Sequence, residues 1–168
     1  MENKLLLRDV LPDDLPIFFE HQLDKEASHM AAFTAKDPTD LEAFMAHWHK
    51  ILAIDTCIIK TILFNGQVAG NVWSYEEEGR PEVTYWLGRE YWRKGIATRA
   101  LKELLAHHSR KRPMYARVAK DNPGSRRVLE KCGFRIVGED KGFANARGQE
   151  IEELLLELEA ILGDGMGS

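Results

Sequence analysis

Tyr91-Trp92-Arg93-Lys94-Gly95-Ile96-Ala97-Thr98 follows a strand-like run, Val83-Thr84-Tyr85-Trp86-Leu87. It opens a helix whose inner stripe is Ala97, Ala100, Leu101, Leu104, Leu105 and His108. A strand, a loop around one glycine and a helix start together make a place for phosphate. The first turn of a helix has backbone N–H groups without internal partners, and the helix dipole adds partial positive charge there. Arg93 and Lys94 bring two full charges to the same point, while Gly95 and Ala97 leave the backbone open to a pyrophosphate. The segment reads as an anion cradle. A Walker loop is excluded, because it needs glycine just before the lysine and Ser or Thr just after it. Those positions hold Arg93 and Gly95. The Gly-x-Gly-x-x-Gly of a dinucleotide fold is absent as well.

The segment resembles the acyl-CoA pyrophosphate loop of the GNAT acetyltransferases, Gln/Arg-x-x-Gly-x-Gly/Ala, with Trp92 at the position usually held by Gln or Arg. Downstream, Asn122-Pro123-Gly124-Ser125-Arg126-Arg127-Val128-Leu129-Glu130-Lys131-Cys132-Gly133-Phe134 resembles that family's Asn-x-x-Ser…Leu-Glu-Lys-x-Gly-Phe segment. The wording of both motifs is closest to the ribosomal-protein N-acetyltransferase-like branch, and the resemblance runs over residues 4 to 159. It implies an α+β fold with a mixed, largely antiparallel sheet, splayed at its centre and flanked by helices. It also implies acetyl-CoA as co-substrate and a primary amine as acceptor, either a protein N-terminus or a small molecule.

Composition agrees with these expectations. A chain of 168 residues, 44% hydrophobic, suits one domain that buries roughly 70% of its unfolded surface. We expect that domain over residues 1–162, with a disordered tail at 163–168. No apolar run approaches the roughly 18 residues of a membrane span, and the N-terminal apolar stretch is too short for a signal peptide. Cys57 and Cys132 lie in apolar-patterned segments, as reduced thiols of a cytoplasmic protein do. A net charge of −4 leaves no electrostatic footprint for nucleic acid. A homodimer is compatible with this composition.

Periodicity places the elements. Lys4 to Asp9 reads as a strand, and Leu15, Phe18, Phe19 and Leu23 mark a helix begun near Asp13. Leu41, Phe44, Met45, Trp48, Ile51 and Leu52 form a helical stripe capped at Thr39 or Asp40. Strands at Thr56–Phe64 and Gln67–Tyr75 are joined by Asn65-Gly66, a hairpin signal. Glu82–Leu87 and Met114–Ala119 are further strands, Pro123–Lys131 is a short helix, and a strand starts at Phe134. Residues 151–159 are rich in helix formers, yet Leu154, Leu156 and Leu158 alternate with Leu155, Glu157 and Glu159. The resemblance implies a last antiparallel strand there, and we assign strand.

The implied reaction constrains the site. An amine must be neutral to attack a thioester, and free amines have pKa values of about 8 to about 10.4. The tetrahedral oxyanion needs donors, and the departing sulfur needs a proton or a stabilising contact. By resemblance, the backbone of Tyr85, Trp86 and Leu87 pairs with the pantetheine arm, and Arg93, Lys94, Gly95, Ile96, Ala97 and Thr98 hold the pyrophosphate. Asn122 binds the pantetheine amides, with helix capping as the alternative. Glu82, near where histone-acetylating relatives carry theirs, is the candidate base acting through water; the other reading is a solvated strand-end carboxylate. Glu76, Glu77 and Glu78 read as a solvated turn, with attraction of a cationic amine as the alternative. Many family members place a tyrosine acid seven residues after the asparagine, where this chain has Leu129. In the branch that this chain resembles, a serine three residues after the asparagine is the usual candidate acid, and Ser125 fills that position; its alternative is a helix N-terminal residue satisfying backbone donors. Arg117 stands where some relatives carry a base glutamate. The histidine pairs His47/His49 and His107/His108 share no helical face for a metal. The acceptor cleft is expected from residues 24–40 and from a loop at 141–149. Two further readings are a non-catalytic acyl-CoA-binding module and an acyltransferase using a longer acyl-CoA.

Overall fold

Two tight corners set the register of the first half of the sheet. In the computed structural model, which describes residues 3–159, Asn65 and Gly66 take φ of +51° and +81°. That is the double left-handed conformation of a two-residue hairpin matched to strand twist. It joins β2 (Ile58–Phe64) to β3 (Gln67–Glu77). Glu78 and Gly79 repeat it at +51° and +79° between β3 and β4 (Arg80–Leu87). β1 (Leu5–Asp9) pairs antiparallel with β2 on the outer side.

The other half of the sheet holds β5 (Met114–Ala119), β6 (Arg135–Ala144) and β7 (Gln149–Leu158), and the order across all seven strands is β1-β2-β3-β4-β5-β7-β6. Every neighbouring pair is antiparallel except β4 and β5, which run parallel and meet at one register pair, Glu82 opposite Tyr115. The assignment of residues 149–158 to a strand holds although propensity favours helix. Leu154, Leu156 and Leu158 point into the core, and the segment pairs with β5 on one side and β6 on the other. Two ladders of backbone bonds outweigh a preference of a few tenths of a kcal/mol per residue.

Strand alternation sends side chains to two faces. On one face α1 (Asp14–Gln22), α2 (Lys25–Ala31) and α3 (Leu41–Leu52) cover the sheet, where Leu15, Phe18, Phe44 and Trp48 pack on Ile59 and Trp73. On the other lie α4 (Ile96–His107) and α5 (Pro123–Lys131). Ile96, Leu101, Leu104 and Leu129 join Val72, Val83, Leu87, Leu154 and Leu156 there. Each fully buried leucine contributes about 1.5–3 kcal/mol relative to exposure. Asp14, 2% exposed, fastens the first face. Its carboxylate accepts from Arg8 Nη1 (2.7 Å) and Nη2 (2.9 Å), Leu11 N (2.8 Å) and Thr61 Oγ1 (2.7 Å). Burial pushes the Asp14 carboxyl up, but these donors together hold it below its ordinary value.

Three findings differ from the pattern read in the sequence. Residues 24–40 contain a helix, α2, capped by Asp24, whose side chain accepts from the N–H groups of Glu26 and Ala27. The loop expected at 141–149 shrinks to residues 145–148, because β6 runs on to Ala144 and β7 resumes at Gln149. α4 stops at His107 with His108 as its C-cap, so the helix ends one residue short of the expected stripe. Arg112 serves the last turn, with Nη2 donating to Leu105 O at 2.9 Å. The expected tail at 163–168 lies outside the described residues. No helix among the described residues is long and apolar enough to cross a membrane.

Candidate active site

Beyond Glu82 and Tyr115 the two parallel strands part. The facing edges of β4 from Val83 to Leu87 and of β5 from Ala116 to Ala119 then line a cleft of about 810 Å³. Backbone N–H and C=O groups on those edges have no strand to pair with, so they are available to an extended ligand. Tyr85, Trp86 and Leu87 all border the cleft, and their side chains serve other ends. Leu87 is core, and the Trp86 indole donates to His21 O at 3.4 Å on the α1 side.

The mouth of the cleft is the cradle. After a 3-10 turn at Arg89–Tyr91, Arg93 and Gly95 take φ of +60° and +74°, and Gly95 becomes the N-cap of α4. The first bond to the cap is Arg99 N to Gly95 O, 3.1 Å. The N–H groups of Ile96, Ala97 and Thr98 therefore emerge without intrahelical partners. A Cβ added at Gly95 meets nothing within 4 Å, so the backbone is open on that side. Arg93, Gly95, Ile96, Ala97 and Thr98 line the cleft. Lys94 is exposed beside it and is not part of the lining. Trp92, standing where Gln or Arg is usual, closes the turn by donating from Nε1 to Leu87 O at 3.2 Å.

Asn122 and Ser125 meet at the start of α5. The Asn122 side chain accepts from Ser125 N (3.2 Å) and donates to Met30 O (3.1 Å), so it caps α5 and ties it to α2. Pro123 follows at the first helical position, where a missing N–H costs nothing. The Ser125 hydroxyl borders the cleft and accepts from the Tyr85 hydroxyl at 3.0 Å. Leu129, at the position of the tyrosine acid in other members, is 3% exposed and belongs to the core.

Glu82 is 1% exposed and does not border the cleft. It is neither a solvated strand-end carboxylate nor directly open to substrate. Its Oε1 accepts from the Tyr75 hydroxyl at 3.3 Å and lies 3.6 Å from Arg117 Nε, while Oε2 has no hydrogen-bond partner among the described residues. Tyr75 and Arg117 do border the cleft, so Glu82 reaches it through them. Burial, then Glu82, push the Tyr75 phenol well above its ordinary value. Arg117 also meets Glu153 (2.9 Å), which borders the cleft, and Asp140 (3.4 Å), which does not. Sequence reading missed Tyr75 and Glu153. A two-residue corner at Glu78-Gly79 places Tyr75 opposite Glu82 by counting alone, so the first was within reach. Glu153 faces Arg117 only through the β5–β7 register, for which no local signal exists.

The remaining wall comes from α2 and the residue just after it, with Ala27, Met30 and Phe33 bordering the cleft; no residue of the expected 141–149 loop borders it, and the β6–β7 corner braces α2 instead. Arg147 donates to Asp121 at 2.8 and 2.9 Å and to His29 O at 2.7 Å, and Asn145 Nδ2 donates to Thr34 O at 2.7 Å. Arg89 clasps Asp24 at 2.6 and 2.7 Å, which holds the Asp24 carboxyl at about 2. The wall at α2 is thus pinned from two sides, by Arg89 and by the short corner.

A mixed sheet opened between two parallel strands, with a helix N-terminus at the mouth of the opening, is the architecture of an acyl-CoA N-acyltransferase. Residues 4–135 match the family described as "Acetyltransferase (GNAT) domain", and the chain belongs to that family, whose members use acetyl-CoA. A curated relative, the uncharacterized N-acetyltransferase p20 of Bacillus licheniformis, is 29% identical over 86 residues. That match covers 49% of this chain and about half (48%) of the relative. Among solved structures, the microcin C7 self-immunity acetyltransferase MccE, in complex with acetyl-CoA and AMP, superimposes with a TM-score of 0.79 at 15% identity. It covers 95% of this chain and 94% of its own. The ribosomal-protein alpha-N-acetyltransferase RimL, in complex with coenzyme A, gives 0.75 at 19%, covering 90% and 92%.

Proposed function

We propose that this protein transfers the acetyl group of acetyl-CoA directly to a primary amine, either the α-amino group of a protein N-terminus or a small-molecule amine. The observation that carries this reading is the opening of the sheet beyond Glu82 and Tyr115, with the free N–H groups of α4 at its mouth. The pyrophosphate lies over Ile96, Ala97 and Thr98, where Gly95 allows close approach and Arg93 and Lys94 add charge. The pantetheine arm runs along the open edge of β4 at Tyr85, Trp86 and Leu87. Asn122, with one Nδ2 hydrogen still free of the α2 contact, meets an amide of that arm.

The thioester then stands between two differently equipped faces. Ser125, on the α4/α5 face, donates its hydroxyl hydrogen toward the departing sulfur. On the opposite face Glu82 receives the proton shed by the amine, through the Tyr75 hydroxyl rather than through water. Glu153 on the cleft wall, with Glu82 buried and Asp140 exposed behind the same arginine, attracts a cationic acceptor before the amine is neutralised. Cys57 and Cys132 are free thiols, in keeping with a reducing cytoplasm.

The test is release of free thiol from acetyl-CoA by purified protein against peptides with Ala, Ser or Met N-termini, polyamines, amino acids and aminoglycosides. Turnover with peptides identifies protein N-acetylation, and turnover with a small amine places the enzyme in small-molecule metabolism. No turnover despite tight CoA binding makes the chain an acyl-CoA-binding module. No CoA binding at all overturns the reading.

A further inference from the structure

The tyrosine of the pantetheine-binding strand has a hydroxyl that no part of the mechanism above uses. Alternation along β4 sends Thr84 and Trp86 to the α1 face and Tyr85 to the α4/α5 face. There its ring packs against the core formed by α4, α5 and β5. Its hydroxyl donates to Ser125 Oγ at 3.0 Å and has no other hydrogen-bond partner among the described residues. Strand β4 and helix α5 are 40 positions apart in sequence at this contact. They are the two walls between which the thioester sulfur must pass.

We infer that Tyr85 is the positioning residue for Ser125: by filling the acceptor side of the serine hydroxyl, it turns the serine hydrogen toward the sulfur of the thioester. The inference rests on the proposed role of Ser125. A serine hydroxyl carries one hydrogen on a free rotor, and a serine in the first turn of a helix readily spends that hydrogen on a nearby backbone carbonyl. Ser125 makes no such bond among the described residues. A phenol is a stronger acid than an alcohol, so in a Tyr–Ser pair the phenol donates and the alcohol is left to donate onward. Chains of donors also polarise one another, which strengthens the outer bond. Burial raises the Tyr85 phenol above its ordinary value, so it remains a donor throughout the pH range in which amines react.

The step balances without removing a proton from Tyr85. The amine nitrogen forms its bond to the carbonyl carbon, and the carbon–sulfur bond breaks with its electron pair on sulfur. The nitrogen sheds one proton through Tyr75 and Glu82, and the sulfur leaves against the Ser125 hydrogen and takes its proton from solvent. Tyr85 orders the donor; it is not consumed.

The experiment compares Tyr85→Phe, Ser125→Ala and the double variant in single-turnover acetyl transfer, with CoA affinity measured alongside by calorimetry. Tyr85→Phe removes one oxygen and keeps the buried ring. The expected result is a rate about three- to tenfold lower, the worth of one neutral hydrogen bond. CoA affinity and the KM for acetyl-CoA should be unchanged, and the double variant should be no slower than Ser125→Ala alone. A normal rate in Tyr85→Phe beside a slow Ser125→Ala rejects Tyr85 and leaves the serine in place. Losses that multiply in the double variant also reject the inference, because the two hydroxyls then act separately. A normal rate in Ser125→Ala removes both.

Discussion

Replacing Gly95 by glutamate tests the cradle more sharply than removing any of its charges. Two costs are separable. The first is conformational. Gly95 sits at φ +74°, and holding an L residue there costs about 1–2 kcal/mol. For a chain of this size that amounts to roughly 2–8 °C in Tm. A Cβ meets no atom within 4 Å, so no packing cost is added and the fold survives. The second cost falls on the ligand. A carboxylate beside the N–H groups of Ile96, Ala97 and Thr98 faces a pyrophosphate, and each pair of like charges at 4 Å costs about 1 kcal/mol in bulk water and about 4 near a protein surface. Gly95 is exposed, so the lower end applies. Two phosphate charges then give about 2–4 kcal/mol, or roughly a 30- to 1,000-fold loss of CoA affinity. Titration calorimetry with CoA measures the loss, and Gly95→Ala separates strain from charge. Acetyl-pantetheine, which has no pyrophosphate, is the decisive control: its KM should be the same in Gly95→Glu as in the parent. Equal losses for acetyl-CoA and acetyl-pantetheine, or an unchanged CoA affinity, would refute the placement of the pyrophosphate on this turn.

Asp14→Ala should be among the most destabilising single substitutions. It strands the Arg8 guanidinium, Thr61 and the Leu11 N–H at about 3–5 kcal/mol, which denaturant unfolding reads directly; a loss under 1 kcal/mol would show that the network is ornamental. His21 is pushed below its ordinary pKa by burial, with Glu90 and Glu20 opposing. Its folded pKa is therefore the lower one, and the stability it contributes is present above the unfolded value of about 6.5 and lost as pH falls below it. His21→Gln should flatten that part of the stability profile. Cys132 is pushed up to about 11 by burial, so at pH 8 only about one thiol in a thousand is ionised. It should resist a disulfide reagent in the native state and react at once in denaturant; fast native labelling would contradict the buried setting.

What was legible in the sequence divides along the cleft. The acyl-CoA side is built from contiguous residues: a loop, a helix start and a capping asparagine, whose business is done by backbone N–H groups. A cradle made of backbone depends on where glycine and the helix begin, and both are written locally, as are the Asn65-Gly66 corner and the Asp40 cap. The acceptor side has no such code. α2 is only seven residues long, too short to stand without its docking contacts. It owes its place to Arg89 reaching Asp24 across 65 positions and to Arg147 reaching His29 across 118. The Glu82–Arg117–Glu153 floor is likewise assembled from three strands, and burial, which pattern alone does not disclose, turns Glu82 from a surface carboxylate into an interior one. The Arg147 and Arg117 contacts involve no cradle residue, whereas Arg89 stands in the turn that leads into the cradle. One acyl donor site can therefore be kept while the acceptor wall is rebuilt, and under the proposed function it is the space between α2 and Arg117 that would select the amine.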